Sequence, residues 1–179
     1  MIAQVLLALL LLLAPPEGSG HGWVLVRSTL TYHVSHKLHD TDGVSHAARG
    51  RGTCQAGQCD FLIAVPVKSF DSGDTNRDLH MLQVTLGGQF PMVTVRTRLP
   101  EEAQGSKTIR ADLEIDFAGQ TAKFTGVSFE QVTEDGERRI EGTIPASLAA
   151  FHIDPPLLFG IAVKDEMPVR VEMTWRREN

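Results

Sequence analysis

In TIRADLEIDF, Thr108 to Phe117, apolar and charged residues alternate without a break. Ile109, Ala111, Leu113, Ile115 and Phe117 are apolar, and Arg110, Asp112, Glu114 and Asp116 between them are charged. Successive side chains of an extended chain point to opposite faces, so a period of two requires a strand with one buried and one wet face. The same rhythm recurs in PVRVEMTWRRE, where Val169, Val171, Met173 and Trp175 share a phase. It appears again as Val93, Val95 and Leu99, as Leu30, Tyr32 and Val34, and as Phe61, Ile63, Val65 and Val67. Segments near 44–53, 121–132 and 138–148 bring the expectation to about eight strands. In the 121–132 stretch the apolar phase switches between Phe124 and Val127, so a bulge is expected around Gly126. Turns are expected at Ala118-Gly119-Gln120 and at Glu134-Asp135-Gly136. An all-β chain of this kind closes as a sandwich or as an up-and-down barrel, and eight strands make a barrel wide enough for one small ligand.

Apolar residues make up 42% and charged residues 22% of the 179 positions, with a formal net charge of −5. That is one ordinary globular domain. The short basic groups Arg49/Arg51, Arg138/Arg139 and Arg176/Arg177 form no basic face, so no nucleic-acid partner is expected. Val5 to Ala14 is an unbroken apolar run followed by PPEGSG. A membrane-spanning helix needs roughly 20 residues, so this run is read as an export leader over 1–20, ahead of a β-barrel domain over 21–179. No Lys or Arg precedes the run, and Gly18 and Gly20 supply small residues for a cut before His21. Export favours a disulfide between Cys54 and Cys59 in CQAGQC. The predicted location is periplasmic or secreted.

SFDSGDTNRDLHM, Ser69 to Met81, interrupts the strands. Ser72 or Asp74 can cap a helix there, and Asp71 and Asp74 suit the positive end of its dipole. Leu79, Met81, Leu82 and Leu86 follow with roughly helical spacing, and Gly87-Gly88 ends the segment. The stretch is therefore read as the entrance to a short helix inserted between strands 3 and 4.

The sequence of strand, SFDSG, NRDLHM, QFP and strand resembles the YceI-like family of bacterial periplasmic proteins. The matching positions are Ser69, Phe70, Asp71, Arg77, Asp78, His80, Phe90 and Pro91. The likeness extends to STLTYHVSH, GVSHAARGRG, LEIDFAGQTAKF and PPLLFGIAVKDEMPVRVEM, and so to nearly all of 23–175. CQAGQC departs from the family's pattern. The resemblance implies a lipocalin-like eight-stranded antiparallel barrel that binds or transports a polyisoprenoid or isoprenoid quinone. It also implies that a helix over about 76–86 packs at the barrel and that Arg77 and Asp78 are structural.

On that reading the apolar phase of the strands lines the pocket. Tyr32, Phe61, Ile63, Val95, Leu113, Ile115, Val171 and Met173 are the expected ligand-binding residues, Tyr32 being able to hydrogen-bond a headgroup. A transient contact with a membrane surface is a further expectation, and no cofactor is expected. Two alternatives compete: a structural or stress-related barrel with a filled core, and a metal site built from His33, His36, His39 and His46. His33 and His36 fall on opposite faces of an extended strand, which weighs against the second. Ser69 lacks a nucleophile-elbow context, so no catalytic residue is assigned and the protein is read as a non-enzyme.

Overall fold

The computed structural model describes residues 20–178, and nearly all of the expected leader over 1–20 lies outside them. Eleven strands follow in chain order. They are β1 (His21–Ser35), β2 (Asp40–Ser45), β3 (Arg49–Gln55), β4 (Gln58–Pro66), β5 (Met92–Pro100) and β6 (Thr108–Phe117). Next come β7 (Gln120–Glu134), β8 (Glu137–Ile144), the two-residue strands β9 (Leu157–Leu158) and β10 (Ile161–Ala162), and β11 (Val169–Glu178). One helix, α1 (Thr75–Val84), lies between β4 and β5.

The sheet runs β11-β8-β7-β6-β5-β4-β3-β1, and β11 pairs back onto β1 from Gly22↔Glu178 to Tyr32↔Val169. This closes an antiparallel barrel of eight strands, with β2 continuing the position of β3 beside β1. Closure removes the sheet edges that would otherwise invite pairing with other chains. It also explains the alternation, since Ile109, Ala111, Leu113 and Ile115 of β6 are buried and its charged phase is half-buried or exposed. On the outer face, Arg96 Nη1 donates to Asp116 Oδ2 at 2.6 Å and Thr121 Oγ1 donates to Asp116 Oδ1 at 2.6 Å. The Thr121 hydroxyl, then Arg96, hold the Asp116 carboxyl below the usual carboxylate range.

The expected strand over 44–53 is in fact two, β2 and β3, separated by His46–Ala48. The helix therefore follows the fourth strand and does not lie between the third and fourth. β1 pairs with β3 up to Val24 and with β2 from Leu30 onward in one continuous register, and its bulge against β11, between Leu25 and Arg27, falls within the gap. The bulge expected near Gly126 is present: the β6–β7 register shifts between Ala111 and Leu113, and the Gly126 N–H donates to Asp112 Oδ1 at 2.7 Å. β8 stops at Ile144, because Pro145 has no N–H to continue the ladder.

The connections fall at two ends. One end, the base, carries the β3–β4, β5–β6 and β7–β8 connections. The other, the mouth, carries the β1–β2 turn, the β4–β5 segment with α1, the β6–β7 turn and the β8–β11 segment with its β9–β10 hairpin.

Candidate functional site

A cavity of about 510 Å³ runs inside the barrel from Trp175 and Leu99 near the base to Tyr32, α1 and Leu158 at the mouth. Its wall is almost wholly apolar, and the core is therefore hollow. The eight expected ligand-binding positions are all on this wall: Phe61 and Ile63 from β4, Val95 from β5, Leu113 and Ile115 from β6, Val171 and Met173 from β11, and Tyr32 from β1. Thr97, on the same face of β5, was not anticipated; its buried hydroxyl has no partner among the described residues. The inward phase of β5, read through Val93 and Val95 to Leu99, passes through it.

Two rings in the cavity are accommodated by glycine. A Cβ on Gly43 would collide with the Tyr32 ring, and one on Gly52 with the Phe61 ring. Each ring lies across the backbone of its strand partner, Gly43 for Tyr32 and Gly52 for Phe61. Tyr32 also packs on Phe70, with ring centroids 5.6 Å apart. Burial, with the Asp78 carboxylate next in weight, pushes the Tyr32 hydroxyl above its usual pKa, so it remains a neutral donor at physiological pH.

Polar side chains gather at the mouth. α1 turns Asn76, Arg77, His80, Met81 and Val84 toward the cavity, one stripe of a helix with no buried residue. Leu79 and Leu86, half of the apolar spacing from which the helix was read, are instead exposed. Asp74 is the N-cap, accepting from the N–H groups of Asn76 at 2.9 Å and Arg77 at 3.1 Å. The Arg77 N–H, the larger influence, helps hold its carboxyl below the usual range. The left-handed residue that ends α1 is Leu86 (φ 53°), not a glycine. The Gly87 N–H donates to the Leu82 carbonyl at 2.8 Å, completing the paired terminal bonds of a Schellman motif.

Arg77 and Asp78 both bond to Ser72, in the loop that leads into α1. Arg77 Nη2 donates to the Ser72 carbonyl at 2.8 Å, and the Ser72 N–H donates to Asp78 Oδ1 at 3.1 Å. The segment is joined to the barrel one step earlier. Val44 and Asp71 exchange backbone hydrogen bonds of 2.9 Å. The Ala47 N–H donates to Ser45 Oγ at 3.2 Å, Ser45 Oγ lies 2.6 Å from Ser69 Oγ, and the Ser69 hydroxyl donates to the Pro66 carbonyl at 2.6 Å. The Ser69 hydroxyl is thus a structural link.

The four histidines do not converge. His33 Nδ1 lies 2.7 Å from Asp42 Oδ1, the buried His36 has Nε2 3.3 Å from the Ile161 carbonyl, and His46 Nδ1 is 3.1 Å from the Ser28 carbonyl. The His39 ring lies tilted against His36, with centroids 5.8 Å apart. Among the described residues no three His, Cys, Asp or Glu side chains are grouped to hold a metal ion.

The base is sealed. Cys54 and Cys59, direct partners across the β3–β4 hairpin, form a buried disulfide. Gln104 donates its amide to the sulfurs and accepts from Arg138 Nη1 at 2.8 Å. The Arg138 guanidinium lies 4.4 Å from the centre of the buried Trp23 ring. Burial, then the nearby Arg177, draws its pKa below the ordinary value.

No family model and no curated protein matches the sequence. Solved structures do match its fold. Burkholderia cenocepacia BcnA superposes with a TM-score of 0.69 at 15% identity, over 82% of this chain and 95% of that one. A polyisoprenoid binding domain from Saccharophagus degradans, implicated in plant cell wall breakdown, gives 0.71 at 12% identity, over 87% and 98%. The Campylobacter jejuni YCEI protein gives 0.53 at 10% identity, over 67% and 72%. At such identities the likeness is one of fold, and the chain is built as a YceI-like barrel.

Proposed function

We propose that the barrel binds or transports one long, amphiphilic apolar molecule, a polyisoprenoid or an isoprenoid quinone, without transforming it. The observation that carries this reading is the cavity, an apolar tube of about 510 Å³ whose polar groups stand mainly at one end. Ligand sites commonly span roughly 300–1,000 Å³ and bind apolar bodies with a few placed polar groups. The tail lies against Phe61, Ile63, Val95, Leu113, Ile115, Val171 and Met173, and Met173 adapts to an irregular chain. The headgroup sits at the mouth, within reach of Tyr32, Asn76, Arg77 and His80. A fold neighbour described as a polyisoprenoid binding domain supports the ligand class. The disulfide and the apolar leader support a periplasmic or secreted protein.

Solvent extraction of the protein purified from the exported fraction, followed by mass spectrometry, tests the reading. A stoichiometric long apolar molecule is expected. An empty barrel that also fails to take up added polyprenol or quinone sinks the proposal.

A further inference from the structure

The β8–β11 segment carries PPLLFGIAV, Pro155 to Val163, a run with no charged residue, bounded by Asp154 and Lys164. It folds as the β9–β10 hairpin with Phe159-Gly160 as its turn. Phe159 has φ 52° and Gly160 φ 76°. Asn, Asp or Gly normally fill such positions, since a bulky residue is disfavoured there. Phe159 is nevertheless at the tip and 89% exposed, with Leu157 beside it 66% exposed. Neither folding nor solubility favours that choice. Leu158 between them faces the cavity, so apolar surface runs from the interior to the solvent through three consecutive residues. His36 Nε2 meets the Ile161 carbonyl, and the Lys164 N–H donates to the Ser35 carbonyl at 2.9 Å. These contacts tie the hairpin to the β1–β2 turn, where Leu38 is 62% exposed.

We propose that this hairpin tip, with Leu38, inserts into the surface of a lipid bilayer of uncharged net headgroup and docks the barrel mouth-down. The proposal rests on the carrier reading, because the guest then moves between bilayer and cavity without crossing water. Exposed apolar patches on soluble proteins mark interaction sites, and shallow burial of Phe and Leu is a recognised way of lying on a membrane. A second copy of the chain is a poorer occupant. Phe159, Leu157 and Leu38 together can bury roughly a few hundred Å², against on the order of 1,200 Å² for a stable protein pair. Asp154, Asp165 and Glu166 near the foot of the hairpin outnumber Lys164, which disfavours an anionic surface.

Co-sedimentation with phosphatidylcholine vesicles tests the docking, using the full-length exported protein beside Phe159→Asp and Leu157→Ser. The protein should partition onto the vesicles with little dependence on salt, and Phe159→Asp should weaken this at least about tenfold. Circular dichroism and the equilibrium capacity for added lipid should stay as in the parent, since neither residue lines the cavity. The proposal is overturned if the parent ignores the vesicles or if Phe159→Asp partitions equally. It is also overturned if binding needs anionic lipid and vanishes with salt, or if the tip instead makes a dimer that Phe159→Asp dissolves. Lipid-loaded protein that ignores vesicles removes the docking and leaves the carrier; docking by a barrel that cannot be loaded supports the docking and removes the carrier.

Discussion

At the base, Trp23, Gln104, Arg138 and a disulfide lock together side chains drawn from β1, the β5–β6 connection, β8 and the β3–β4 hairpin. At the mouth, a ten-residue helix without one buried residue lies over the cavity beside a hairpin that exposes a phenylalanine. Both ends close the same tube. One uses buried, cross-linked and stacked groups; the other uses a few hydrogen bonds through Ser69, Asp71 and Ser72. Segments with few buried contacts open locally at low free energy, whereas a packed core opens only with global unfolding. On the proposed carrier reading, a guest would enter and leave past α1, with the base as a fixed floor.

The largest expected effect comes from filling the tube between the two ends. Val95→Trp should abolish lipid retention while the barrel still folds, at a cost of about 1–3 kcal/mol for overpacking. Retention at the parent level in a folded Val95→Trp protein would place the guest at the mouth alone and dissolve the distinction between tube and floor. A smaller effect is expected at the floor. Replacing Cys54 and Cys59 by Ala should lower the unfolding free energy by up to about 2 kcal/mol, since the bridge closes a loop of only a few residues. The urea midpoint should fall and lipid uptake should not change. An altered uptake rate with an unchanged midpoint would make the base a working part of the gate. The smallest effect is expected from Asp78→Ala, which removes one half-buried acceptor of the Ser72 N–H. Its cost should be under about 1 kcal/mol, visible as faster amide exchange across α1 with the global midpoint nearly intact. A large fall in the midpoint would show that α1 belongs to the cooperative core.

Strands were the readable part of this chain, because alternation is a local signal and closure buries one phase of it. Thr108–Phe117 and Val169–Glu178 declare their inner faces residue by residue, and the eight apolar positions taken from that phase do face one cavity. The cap of α1 was equally local, resting on Asp74 and two following N–H groups. The division of β2 from β3 was not readable, because His46–Ala48 interrupt the pairing with β1 without any shift of register. The floor was not readable either: Trp23, Gln104 and Arg138 are scattered along the chain and become neighbours only when the barrel closes. β9 and β10, at two residues each, are too short for any periodicity to show. Leu86 is the left-handed residue that ends α1, one position before the expected Gly87-Gly88, while a Cβ on Gly87 would collide with the Leu82 side chain.

The pairing of Gly22 with Glu178 bears on how such a barrel can be handled. β1 begins and β11 finishes side by side at the sealed base, so a tag, fluorophore or tether joined beyond either residue projects from the floor. Immobilised that way, every molecule presents its mouth to the bulk. The orientation of the barrel on a sensor surface can therefore be set without touching the residues that would meet a lipid.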